Sequence, residues 1–181
     1  GMADPAAELG AHGATTVYLA DGPAFRLYSA EGYTAVVTAA VAAAEPSALF
    51  FAATAMGRDL APRVAAKLGV GALPDVTGLS LEGTTFVARR PVYSGKAYAT
   101  VDCAGTSPQV ITLRPNVFAA EQAGGSAQVV KLDGVAPEIR AVVEEVVASG
   151  GGELDVAEAD IIVSGGRGLK GPENFTLLRG L

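Results

Sequence analysis

The sequence predicts an α/β fold on a mostly parallel sheet, and three observations carry that reading. Segments of strand and helix character alternate from Thr15 to Leu68, the run Ala48 to Ala53 (ALFFAA) is apolar throughout like a strand covered on both faces, and glycine, proline or Asp-Gly punctuation separates one segment from the next. With 181 residues, half of them hydrophobic and 18% charged, the chain is long enough for one domain with a sizeable core. A mean hydropathy of +0.35 is opposite to the signature of disorder.

Pro5 to Leu9, followed by Gly10, reads as a short helix with a glycine near its C-terminus. Thr15 to Ala20 (TTVYLA) is β-branched and aromatic between Gly13 and Asp21-Gly22, a buried strand. Tyr33 to Ala44 is an alanine-rich helix closed by Pro46, and Ala48 to Ala53 is the next strand. Asp59 is placed as an N-cap for a helix over Leu60 to Leu68, with Pro62 in its first turn and Gly69 as terminator. From Thr77 to Leu113 the character changes to short runs at Leu79 to Leu81, Thr85 to Ala88, Ala97 to Cys103 and Gln109 to Leu113, separated by turn signals, which reads as a strand-rich insertion or edge. Ala119 to Gln128 is an exposed loop and Val129 to Leu132 a strand. Ile139 to Val147 fits a helical face by spacing and a strand by its valines, and Asp160 to Ser164 (DIIVS) is a short strand leading into a glycine-rich run.

Composition excludes several kinds of function. The net charge of −6 repels a phosphate backbone, so nucleic acid is not an expected partner. The longest uncharged runs, such as Gly32 to Ala44, are too short and too alanine-rich to span a bilayer. One cysteine, Cys103, and one histidine, His12, leave no disulfide, no zinc motif and no Ser-His-Asp or Cys-His site. His12 reads as a surface turn residue, Cys103 as a small buried hydrophobe, and the adjacent Glu144 and Glu145 as a solvated pair facing different directions. Gly1-Met2 has the form of a residue pair left after removal of a tag.

Two places could carry chemistry. Gly166-Arg167-Gly168-Leu169-Lys170-Gly171 has the G-x-G-x-x-G spacing and precedes Pro172, a good first residue for a helix. Its glycines would let amides approach an anion while Arg167 and Lys170 supply charge, although the second strand and acidic residue of a dinucleotide fingerprint do not follow. The alternative is a flexible hinge. The second place is Thr54 to Asp59, where a strand gives way to a helix and a nucleotide phosphate is conceivable, against a plain reading of Asp59 as cap and Arg58 as surface charge.

Four blocks, taken together and in order, resemble the α subunit of electron transfer flavoproteins. They are Ala53 to Ala65 (ATAMGRDLAPRVA), Arg89 to Lys96 (RRPVYSGK), Val110 to Phe118 (VITLRPNVF), and Ala159 to Gly171 (ADIIVSGGRGLKG) with Glu173-Asn174-Phe175. The resemblance implies an N-terminal three-layer α/β/α domain with a mostly parallel sheet, of the nucleotide α-hydrolase-like type (electron transfer flavoprotein domain I), over residues 1–164. Residues 165–181 would then be a Gly-rich junction at the start of the FAD-binding domain. It also implies a scaffold role rather than an enzyme. In the cytoplasm, the parent heterodimer with a β subunit would carry electrons through FAD from flavin dehydrogenases to a quinone-linked acceptor. Arg167 matches the family's FAD-contacting arginine, and Ile139 to Val147 matches a strand.

Set against the family, the FAD domain would follow Leu181 and two opening strands would precede Thr15, so the fragment alone is expected to retain no FAD and to present open strand edges that favour self-association. Readings from other classes are a stand-alone adenine-nucleotide-binding module using Thr54 to Asp59 and a ligand-free heterodimerisation domain.

Overall fold

The computed structural model describes residues 5–103, 105–147, 156, 159 and 161–180. Contacts divide the chain into two units, Gly1–Val146 and Val147–Leu181.

The first unit opens with α1 (Pro5–Ala11) and β1 (Thr16–Leu19). Gly10 sits inside α1 because a Cβ there would lie 2.7 Å from the Ala127 nitrogen, so only glycine lets the backbone at 126–127 pass. That passage aligns β8 (Gln128–Lys131) parallel to β1, from Thr16 opposite Gln128 to Leu19 opposite Lys131. The helix α2 (Ala30–Ala44) begins a turn earlier than its alanine run suggests, because the Ser29 hydroxyl caps it by accepting from the Gly32 amide at 3.1 Å.

Next come β2 (Ala48–Ala52), α3 (Ala55–Leu68) and β3 (Ala72–Val76), then an antiparallel meander of β4 (Gly78–Glu82), β5 (Thr85–Val92) and β6 (Ala97–Asp102). The strand β7 (Gln109–Leu113) returns between β2 and β3 and pairs parallel with both. Parallel ladders with helices against them give the α/β class expected, a three-layer α/β/α fold with a mostly parallel sheet. One grouping changes. Gln109 to Leu113 is the middle of the parallel sheet rather than a member of the strand-rich insertion, since β7 hydrogen-bonds to β2 and β3 and the meander closes after β6.

Alternation along β7 fixes the layers. Val110 packs with Ala61 and Ala65 of α3, whereas Ile111 packs with Leu73, Val76 and Ala88 on the side of the meander. Ile111, Val64, Val76 and Val110 are the largest fully buried side chains, each contributing roughly 1.5 to 3 kcal/mol by burial. The two buried polar side chains of β7 are both bonded: Gln109 Oε1 accepts from the Phe86 amide at 2.8 Å, and Thr112 Oγ1 accepts from the Asp75 amide at 2.8 Å.

Three sequence expectations are corrected. Ile139 to Val147 is neither helix nor strand, with Val142, Val146 and Val147 exposed. A strand needs a neighbour for its backbone groups, and here the amides of Arg140 and Ala141 donate instead to the Glu31 carboxylate on α2. In the second unit, Asp160 lies outside the described residues and 161–164 form no strand. Pro172 does begin a helical segment, but Pro172–Leu177 is a 3-10 helix, and a further 3-10 turn spans Arg167–Leu169.

Candidate functional site

The carboxyl ends of β2, β3 and β7 are where a parallel sheet presents its loops to a ligand, and here they gather three ion pairs, Arg58–Asp75, Arg63–Asp59 and Arg114–Asp75. The turn from β2 into α3 is tight: a Cβ on Gly57 would collide with the carbonyl oxygen of Ala52. Thr54, not Asp59, caps the helix, its hydroxyl accepting from the Gly57 amide at 3.2 Å. Pro62 consequently lies inside α3 instead of in its first turn. Asp59 has another task. Tyr28 donates to its Oδ2 at 2.6 Å and Arg63 Nε to its Oδ1 at 3.1 Å. These bonds hold its carboxyl below the usual range, while burial and then the Asp59 carboxylate push the Tyr28 phenol up to about 12. Both polar side chains that bracket the Thr54 to Asp59 loop are therefore already engaged within the fold.

Asp75 occupies an irregularity in the β3–β7 register, between Leu73 and Val76, with φ of 59°. The bulge turns its carboxylate to Arg114, just past the end of β7. Arg114 donates in a fork, Nε to Oδ1 at 2.9 Å and Nη2 to Oδ2 at 2.6 Å. Arg58, from the first turn of α3, stands 3.9 Å from the same carboxylate. Arg114 hydrogen bonding, then the fields of Arg114, Arg58 and Arg90, depress the Asp75 carboxyl, and Asp75 in turn raises Arg114. A cavity of about 550 Å³ opens beside this pair, lined by Asp75, Arg114, Arg90 and the turn Tyr93 to Gly95. In the sequence Arg90 and Arg114 stand only within longer blocks, Arg89 to Lys96 and Val110 to Phe118. Their meeting with Asp75 had no local signal, because Pro74 and Asp75 hide β3.

The glycine-rich segment belongs to the second unit. Arg167 opens its 3-10 turn and is exposed. Among the described residues its guanidinium has no hydrogen-bond or ion-pair partner, and the amides of Gly166, Arg167 and Gly168 have no acceptor. Those of Leu169, Lys170 and Gly171 are used within the turn, and Asn174 Nδ2 ties the turn by donating to the Leu169 carbonyl at 2.7 Å. A Cβ on Gly166 or Gly168 would meet nothing within 4 Å, whereas one on Gly165 would strike Leu169 and Leu178. The open side of the segment thus carries free donors and a free cation, a set that fits an anionic cofactor group such as a pyrophosphate.

Other sequence candidates fall into place as plain structure. His12 is exposed, with Nδ1 2.8 Å from the Glu121 carbonyl, and Glu144 and Glu145 are exposed. Cys103 packs half-buried against the Ile111 cluster, its thiol pKa raised by burial and then by Asp102. No group of metal-ligating side chains occurs among the described residues, and no described helix is long and apolar enough to cross a membrane.

A family profile for the electron transfer flavoprotein domain matches residues 1–137. The chain belongs to the electron transfer flavoprotein α-subunit family. An electron transfer flavoprotein subunit alpha from Bacillus subtilis (strain 168) is 37% identical over 179 residues, which is 97% of this chain and 54% of that protein. Protein FixB from Clostridium saccharobutylicum is 37% identical over 94% of this chain and 53% of its own length. Protein FixB from Rhizobium meliloti (strain 1021) is 33% identical over 100% of this chain and 53% of its own. The chain thus spans about half the length of the curated relatives it matches.

Proposed function

We propose that this chain is the N-terminal scaffold domain of an electron transfer flavoprotein α subunit, with residues 165–181 as its junction to the FAD-binding domain. The parent heterodimer carries electrons through FAD, in the cytoplasm, from flavin dehydrogenases to a quinone-linked acceptor. The observation that supports this most directly is the Arg167 guanidinium beside the three amides of Gly166 to Gly168, all without partners among the described residues. FAD supplies the redox chemistry when bound. Arg167 and the amides would hold its phosphate charge.

One such arginine contributes roughly 1.5 to 3 kcal/mol, whereas micromolar affinity requires about 8 kcal/mol, so residues 1–181 alone retain no FAD. The partner surface is the β subunit's. Leu19 on β1, Phe50 on β2 and Val129 on β8 are apolar side chains at least two-fifths exposed, which suits coverage by another chain and favours self-association without it.

The reading is tested by coexpressing the full-length α subunit with its β subunit. A one-to-one complex carrying stoichiometric flavin is expected, with residues 1–181 purifying colourless. A full-length complex that lacks flavin, or a yellow 181-residue chain, overturns it.

A further inference from the structure

We propose that the cavity between Asp75, Arg90, Arg114 and the Tyr93 to Gly95 turn is a second anion site, built for a phosphate monoester. It is independent of FAD and lies within the first unit.

Charge is the first argument. Arg58, Arg90 and Arg114 converge on one carboxylate, Asp75, each close enough to lower its pKa. Two positive charges remain uncompensated there, on a chain whose net charge is −6. A phosphate monoester, close to a dianion at neutral pH, balances that excess, whereas a single carboxylate leaves it half neutralised.

Donors are the second. Arg90 lines the cavity, and among the described residues its guanidinium has no hydrogen-bond or ion-pair partner, so it is not committed to another group of the fold. Arg114 is the opposite case: its fork to Asp75 fixes the plane of the guanidinium at the cavity wall, so little ordering remains to be done when an anion arrives. The hairpin turn adds backbone donors. Gly95 and Lys96 amides return to the Val92 and Tyr93 carbonyls, leaving those of Tyr93 and Ser94 with no acceptor among the described residues.

Shape is the third. Tyr93 and Ser94 sit at φ of 51° and 55°, a left-handed pair that non-glycine residues adopt at a cost, and the turn they form lines the cavity. At about 550 Å³ the cavity is in the range of small-molecule sites and exceeds what phosphate alone fills. The exposed Tyr93 ring at its rim offers an apolar face to an ester group.

Amide NMR titrations of the full chain with inorganic phosphate and with phenyl phosphate, at constant ionic strength set by chloride, test the proposal. Saturable shifts confined to residues 75, 90–95 and 114 are expected for both. Phenyl phosphate binding about tenfold tighter identifies an organic ester as the natural ligand; equal affinities identify free phosphate. Arg90→Gln should weaken binding at least tenfold. Arg89→Gln removes only the cation stacked 4.1 Å above the Tyr98 ring and should leave binding unchanged. Ser94→Asp, at an exposed turn position that does not threaten folding, should abolish binding. Shifts that never saturate, or an affinity unaltered in both Arg90→Gln and Ser94→Asp, overturn the site.

Discussion

Arg114 and Arg167 present the same guanidinium in opposite ways. Arg114 is clamped by two hydrogen bonds to a carboxylate on a different strand, and its position follows from the β3–β7 register. Arg167 stands on a three-residue 3-10 turn with no partner among the described residues, so its geometry is left for a ligand to set. A clamped arginine binds with little entropy to lose but must share its charge, whereas a free one keeps its charge and pays for ordering on binding. The glycines follow the same division. Gly57 is demanded by the fold, because the Ala52 carbonyl fills the place of its Cβ, while Gly166 faces open space.

The largest effect expected from disturbing this contrast is at Gly57. Gly57→Ala should lower stability by about 2 to 3 kcal/mol, since a backbone atom cannot yield as a side-chain end can, and the gain in helix propensity offsets only about 1 kcal/mol of the clash. Gly166→Ala should change stability by less than about 0.5 kcal/mol. Chemical denaturation of both variants checks the pair, and equal midpoints would erase the distinction.

Next in size is Arg167→Ala in the full-length heterodimer, which should weaken FAD retention tenfold to a hundredfold. A charged hydrogen bond is worth roughly 1.5 to 3 kcal/mol, and about 1.4 kcal/mol is a factor of ten. Arg167→Lys should recover part of it, keeping the charge without the planar fork. Dissociation constants within a factor of two across the three proteins would return the segment to a hinge.

The smallest effect belongs to the clamped pair. Asp75 has a depressed pKa in the folded state, so its contribution is present above the unfolded carboxyl value near 3.9 and is lost as pH falls through the folded pKa. Asp75→Asn should therefore cost about 1 kcal/mol at neutral pH, after allowing for partial exposure. The wild-type and variant stabilities should converge as the pH is lowered below about 4, where the aspartate becomes protonated. A constant gap across that range, followed by thermal unfolding, would mean that the charge is not what Asp75 contributes.

Much of the fold was legible because its signals are local. The run ALFFA needed only its own composition to be read as a strand, and the parallel class followed from its alternation with helices. The α3 start was misread at Asp59 because the true cap, Thr54, depends on Gly57 slipping beneath the Ala52 carbonyl, a contact invisible in a list of cap preferences. β3 was missed because Pro74 and Asp75 break its pattern, and the bulge at that point is what aims Asp75. Ile139 to Val147 had strand composition without a pairing partner, and Glu31 supplied one acceptor for two of its amides instead. The glycine-rich segment was visible as a motif. The Arg58, Arg90 and Arg114 cluster was not, since 24 to 56 residues separate its members in sequence.

The buried amide of Gln109 has a consequence for that cluster. Arg90 rides on the meander, whereas Asp75 and Arg114 belong to the parallel sheet, and apolar side chains alone would let one layer slip over the other by small steps. The bond from Phe86 to Gln109 Oε1 joins the layers at a directional point, four residues before Arg90 and five before Arg114. It works as a gauge block: it sets the spacing of two guanidiniums without touching either, so a change at Gln109 would alter their calibration before it altered the fold.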